Sequence, residues 1–302
     1  MTAVEAPAAD EEVLEVTPEF EAAAERQERR RGFLLALPEF GYLTLFFAVP
    51  LVIVVVYSFA TRNRFGGTDL SGWNVDSYVK LAEPLVREIF FRSVWLAALT
   101  TVICLVIGYP FAYYLATRSL RVRNVMLVFV MIPFWTNFLV RNYAWRVILG
   151  NDGPLTKTTE FVGLGEHEYL FTQTAVVLGL VYGFLPFMIL PLYAAIERID
   201  RRLLEASRDL YANGFQSFRH VLLPLSMPGV IAGSILCFIP SLGAYVTPEI
   251  LGGAKTTLLG SYIVTQFLTA RNWPFGAAMS FVLMAIMLAA TVVYFRKGGR
   301  TL

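Results

Sequence analysis

Six apolar stretches, residues 33–60, 91–117, 125–149, 172–196, 228–246 and 275–295, dominate the sequence. Each is near the roughly 20 residues that a helix needs to cross the hydrocarbon of a bilayer. Lipid offers no partner to a backbone N–H or C=O, so such stretches cross as helices that close their own hydrogen bonds. The expected fold is an all-α membrane protein with six transmembrane helices. Composition agrees, with 56% of residues hydrophobic and 16% charged, outside the balance of a soluble domain. The first stretch exceeds the 7–15 or so residues of a signal-peptide core, and no small-residue cleavage site closes it. It reads as an uncleaved first span.

Arginines and lysines set the orientation. Arg26, Arg29, Arg30 and Arg31 precede the first span; Arg118, Arg121 and Arg123 follow the second; Arg198, Arg201, Arg202, Arg208 and Arg219 follow the fourth; Arg296, Lys297 and Arg300 follow the sixth. By the positive-inside rule both termini and the second and fourth loops are cytoplasmic. The domain expectation is a mobile cytoplasmic tail at 1–32, a six-helix membrane domain at 33–296 and a short cytoplasmic tail at 297–302. The opposite loops, 61–90, 150–171 and 248–274, are rich in Gly, Asn, Trp and Pro, which suits turns and short surface helices.

Several function classes lose support. Cys104 and Cys237 sit singly in apolar runs, and His167 and His220 have no companion at metal-ligand spacing, so neither a disulfide nor a metal site is expected. No phosphate-binding loop of the GxxxxGK(S/T) type occurs, and a net charge of +2 does not suggest nucleic acid. The spans carry no carboxylate near their middles, which counts against an ion-coupled carrier. No polar cluster suits a membrane-embedded enzyme.

Between the fourth and fifth spans, at 197–227, lies a polar, arginine-rich island. In it Leu203, Leu204, Ser207, Leu210 and Tyr211 recur at helical spacing with charge on the other face. Asp200 can cap this helix, Asn213-Gly214 can end it in a left-handed turn, and Ser217 can cap a second helix through Phe218, Val221 and Leu222 that stops before Pro224. Glu205-Ala206-Ser207, Asn213-Gly214, Phe218 and Leu223-Pro224 resemble the EAA loop of permease subunits of ATP-binding-cassette importers. The resemblance implies a coupling helix that docks in a cleft of an ATPase subunit, with Leu203 to Asn213 as its core. That family usually has glycine where this chain has Tyr211, which moves the expected bend to Gly214. Glu205 is expected to order the loop by pairing with Arg201, Arg202 or Arg208 rather than to perform catalysis.

The third span is the most unusual, running Pro133-Phe134-Trp135-Thr136-Asn137 and then Leu139-Val140-Arg141-Asn142-Tyr143-Ala144-Trp145. Arg141 lies several residues inside the outer end, so it should snorkel outward or face the protein interior. Trp135, Asn137 and Tyr143 offer stacking faces and hydrogen-bonding groups that can line a pathway, and Glu249 with Tyr245 one turn earlier offers a carboxylate and an aromatic face for a cation. These segments, with Leu251-Gly252-Gly253 and Arg271-Asn272-Trp273-Pro274-Phe275, resemble spermidine/putrescine-type permeases, specifically the first of the two in such systems, over residues 40–294.

The resemblance implies a type I importer fold in the bacterial cytoplasmic membrane. It also implies a second permease, two ATP-binding-cassette ATPases and an extracytoplasmic solute-binding protein as partners, in contact with membrane lipid. No cofactor is expected on this chain, ATP being hydrolysed by the partner subunits. The implied solute is a polyamine, with an opine, an amino-phosphonate or another small charged solute as the alternative.

Overall fold

The computed structural model describes residues 32–33, 35–63, 67–161 and 168–298. The expected N-terminal tail, apart from Gly32, lies outside the described residues, as do His167 and most of the C-terminal tail. The chain divides into two units, residues 1–54 and 55–302. The first is the apolar helix α1, Leu35–Ser58, as far as Val54; no residue of its apolar window is buried.

In the second unit a two-residue hairpin pairs β1, Thr61–Arg62, with β2, Thr68–Asp69, and is followed by the short helix α2, Asp76–Lys80. The Asp69 carboxylate accepts from the Ser71 hydroxyl (2.6 Å) and amide (2.9 Å), which holds its pKa below the ordinary carboxylate value. Then come α3, Pro84–Thr117; α4, Leu120–Trp135; α5, Phe138–Leu149; α6, Pro154–Phe161; α7, Gln173–Glu197; α8, Arg201–Asp209; α9, Gly214–Leu242; α10, Leu259–Leu268; and α11, Trp273–Gly298. Each of the six apolar runs is helical. Four of them lie in single helices of membrane length: α1, α3, α7 and α9.

The core is a bundle of α3, α7 and α9, each packed on the other two. Small residues bring the axes together, as expected where packing rather than water expulsion drives association in lipid. A Cβ on Gly229 of α9 would stand 2.5 Å from Ala195 Cβ and 2.7 Å from the Pro191 carbonyl oxygen of α7. At Gly233 the same faces meet through Met188. Cys104 of α3 and Cys237 of α9 are free, buried thiols; each donates to a carbonyl of α7, Val181 at 3.8 Å and Phe184 at 3.3 Å.

Two expectations need correction. The third run is not one straight helix: the chain turns by 89° between Leu120–Trp135 and Phe138–Phe161. The cause is local. Thr136 is extended and Asn137 non-helical (φ −57°, ψ 131°), and Asn137 Oδ1 accepts from the amides of Leu139 (2.9 Å) and Val140 (3.3 Å), starting a new helix. Nor is 248–274 a surface loop. Pro248–Gly252 forms a π-turn packed on α5 and α7, where Leu251 and Thr247 fill the space over Gly179. Leu259 of α10 is buried with Val86, Ile89 and Ala97 of α3, Leu242 of α9 and Phe275 of α11, and its amide donates to Ser93 Oγ at 2.7 Å. Ten apolar residues are too few to span a bilayer, so this segment enters the core without crossing it.

Candidate functional site

The polar island folds as a tight two-helix knob between α7 and α9. Asp200 Oδ1 accepts from the Arg202 amide at 2.9 Å, capping α8 as the sequence suggests. The far end departs from expectation. It is Tyr211, not Gly214, that takes the left-handed conformation, at φ 61°. The Ala212 amide donates to the Ser207 carbonyl (3.1 Å) and the Tyr211 amide to that of Arg208 (2.9 Å), the two bonds of a Schellman cap. Helix termination by backbone bonding therefore places a residue with a Cβ where glycine is favoured.

Asn213 has φ −72° and opens the next helix instead of closing the last. Its side chain accepts from the Gln216 amide (2.8 Å) while the Gln216 side chain accepts from the Asn213 amide (2.9 Å), a reciprocal capping box. Gly214 is the first residue of α9, in open space. Ser217 caps nothing; it is buried, and its hydroxyl meets that of Ser207 at 2.8 Å, pinning α8 to α9. The second helix does not stop before Pro224. A π-turn at Phe218–Leu222 lets the Leu223 amide reach the Phe218 carbonyl, so Pro224, which has no N–H to give, falls at the start of the continuing helix.

The knob is anchored on one side and bare on the other. Leu204 and Phe218 pack into the core cluster, the Phe218 ring standing edge-on to Tyr109 at 5.3 Å, and Arg201 donates to the Ala116 carbonyl at 2.9 Å. Leu203, Leu210, Tyr211 and, unforeseen from the sequence, Phe215 are exposed. Glu205, Ala206 and Pro224 are also exposed. The expected pairing of Glu205 with an arginine is absent: among the described residues the ion pairs are Arg92–Glu88 and Arg123–Glu197, and Arg201 is turned to Ala116. The second pair joins the start of α4 to the end of α7.

The other candidates separate into two kinds. Asn137 and Arg141 hold the bend. Arg141 Nη1 donates to the Pro133 carbonyl at 2.8 Å, and its guanidinium stands over Phe138 (5.4 Å) and Tyr182 (5.8 Å), so it faces the protein interior rather than snorkelling. Trp135 and Tyr143 are exposed, as are Tyr245 and Glu249 near the turn that packs on α5. Asn142, which the sequence did not single out, is buried and bonds back to the Phe138 carbonyl.

Residues 108–296 match the family described as "Binding-protein-dependent transport system inner membrane component". The spermidine/putrescine transport system permease protein PotB of Haemophilus influenzae is 43% identical over 261 residues, covering 85% of this chain and 90% of that one. PotB of Escherichia coli is 41% identical over 258 residues, covering 85% and 94%. A crystal structure of a bacterial alginate ABC transporter with its alginate pentasaccharide-bound periplasmic protein superposes with a TM-score of 0.68. That superposition covers 89% of this chain and 96% of the other at 15% identity, a likeness of fold.

Proposed function

The chain belongs to the family of binding-protein-dependent transport system inner membrane components, and from that premise we propose that it is the first of two permeases in an importer of spermidine or putrescine. It is a multi-pass inner-membrane protein with the type I importer permease fold. The observation that carries the reading is the knob: a bend fixed by a Schellman cap, a capping box and the buried Ser207–Ser217 bond, with Leu203, Leu210, Tyr211 and Phe215 left bare. A rigid element with an unpartnered apolar surface, between two membrane helices, suits docking into a cleft of an ATPase subunit.

In this reading the knob and both termini are cytoplasmic, as the arginine clusters favour. The chain binds no nucleotide. Two ATPase subunits close on ATP, the knob moves with one of them, and the helices pass from an inward-facing to an outward-facing arrangement. An extracytoplasmic binding protein then delivers the solute. ATP and loaded binding protein bias the same two-state element from opposite ends, so each raises the effect of the other.

A polyamine fits the groups left free. The Glu249 carboxylate and the Tyr245, Trp135 and Tyr143 rings are exposed and suit an ammonium chain. Arg141, the cationic side chain of this span, bonds the Pro133 carbonyl and stacks over Phe138 and Tyr182, which gives it a role in holding the bend. The test is ATP hydrolysis by the assembled complex in lipid, with binding protein loaded with spermidine, putrescine or an opine. Stimulation by the polyamine forms is expected. Stimulation by the opine form alone would replace the solute class, and an absence of ATPase activity with every ligand would overturn the importer reading.

A further inference from the structure

A polar pocket of about 160 Å3 lies where the end of α3, the start of α4, the end of α7 and the first turn of α8 meet. Its lining includes three arginines, Arg118, Arg123 and Arg201, against one carboxylate, Glu197, which leaves a surplus of two positive charges. Arg118 and Arg201 are each anchored by one group and Arg123 by two, Glu197 and the Tyr193 ring at 5.7 Å, and each guanidinium keeps further N–H donors. Arg118 lies 4.2 Å over the Tyr114 ring, Arg123 Nη1 donates to Glu197, and Arg201 Nη2 donates to the Ala116 carbonyl at 2.9 Å. Arg123 Nε is buried with no hydrogen-bond partner among the described residues. An idle buried donor beside uncompensated cations favours an oxygen anion, which satisfies both at once.

We propose that this pocket binds a phosphate group. Its volume equals about five waters of the liquid, which suits a phosphate and its near hydration and is well below the 300 Å3 or so at which pockets begin to hold drug-sized ligands. The pocket sits where two helices of membrane length end and a third apolar helix begins: Arg118 follows the last residue of α3, Glu197 closes α7, and Arg123 lies in the first turn of α4. That is the level of lipid headgroups, and basic pockets between helices on the cytoplasmic side attract anionic lipids. The anion site stands on these residues alone, whereas a lipid source rests on the cytoplasmic placement proposed above. A phosphate held by Arg118, Arg123 and Arg201 together would tie the end of α3 and the start of α4 to the docking helix α8 through charge-assisted hydrogen bonds.

The experiment uses the assembled complex in phosphatidylcholine nanodiscs, with phosphatidylglycerol or inorganic phosphate added, and reads the unfolding temperature. Ligand that binds only the folded state raises that temperature, the stabilisation growing as RT ln(1 + L/Kd) with L the free ligand concentration. Arg123→Gln also strips Glu197 of its partner, so Arg118→Gln, whose guanidinium stacks on Tyr114, is the deciding variant. Loss of one charge-assisted contact should weaken binding about tenfold. A rise with phosphatidylglycerol alone that Arg118→Gln diminishes assigns a lipid headgroup. A rise with inorganic phosphate that Arg118→Gln diminishes assigns a soluble phosphate. No rise with either, or an equal rise in the variant, overturns the site. Should that occur while loaded binding protein still stimulates ATP hydrolysis, the importer reading stands and the phosphate site alone falls.

Discussion

Replacing Leu210 by aspartate separates docking from folding at the apex of the knob. Leu210 is 82% exposed, so within the chain it has little contact to lose, and the permease should unfold at an unchanged temperature. If the ATPase cleft covers this side chain, binding buries about four-fifths of its surface. Full burial of a leucine contributes about 1.5–3 kcal/mol, so the lost contact amounts to about 1–2.5 kcal/mol, or roughly fivefold to seventyfold in affinity. A carboxylate forced into the same cleft adds a desolvation cost on top. The assay is titration of the ATPase subunits onto the permease pair in nanodiscs, with transport measured in parallel. Leu204→Asp is the contrast: Leu204 packs with the core cluster of α3, α7 and α9, so that variant should fail by unfolding. An L210D complex that assembles with wild-type affinity and transports normally would refute the docking surface.

Tyr211→Gly should relieve the left-handed strain, worth about 1–2 kcal/mol, against roughly 0.5–1 kcal/mol of extra chain entropy for glycine, so amide exchange in residues 207–213 should slow slightly or stay level. Faster exchange would mean that the Tyr211 ring itself holds the turn. Gly229→Val should cost about 1–3 kcal/mol by forcing α7 and α9 apart, read as a lower unfolding temperature, while Gly214→Ala, with open space around it, should be nearly silent; equal effects would contradict the close packing. Asn137→Ala should lose about 0.5–2 kcal/mol of cap stabilisation, whereas Asn137→Ser keeps a capping oxygen and should keep transport; transport lost in the serine variant at normal stability would assign Asn137 to the solute path.

The helical runs were legible because twenty or so apolar residues in sequence admit one solution in lipid. The broken third run was half legible. Asn137 before Phe138-Leu139-Val140 is a capping signal, but the 89° turn also depends on Arg141 reaching back eight residues to the Pro133 carbonyl, a tertiary contact. The knob follows the same division. Asn213 and Gln216 are spaced for a capping box, a signal available in the sequence, yet Gly214 drew the bend because glycine tolerates positive φ. Tyr211 falls where the Schellman bonds of α8 close, and Ser207, whose carbonyl takes one of them, also meets Ser217 ten residues away. The α10 segment was unreadable for another reason: burial of a short apolar helix is decided by the neighbours that cover it.

The second helix of the knob and the fifth span are one continuous helix. From Gly214 to Leu242 the helix runs 29 residues without a break, about 43 Å at the usual rise per residue. A tilt of about 5° imposed at the Asn213 end would swing the Leu242 end by about 4 Å, a displacement on the scale of one helical turn. The residues that follow that end are the ones leading to Tyr245 and Glu249. A small rotation at the bare apolar surface thus becomes, by leverage alone, a movement large enough to remake the surroundings of a carboxylate that follows the other end of the helix.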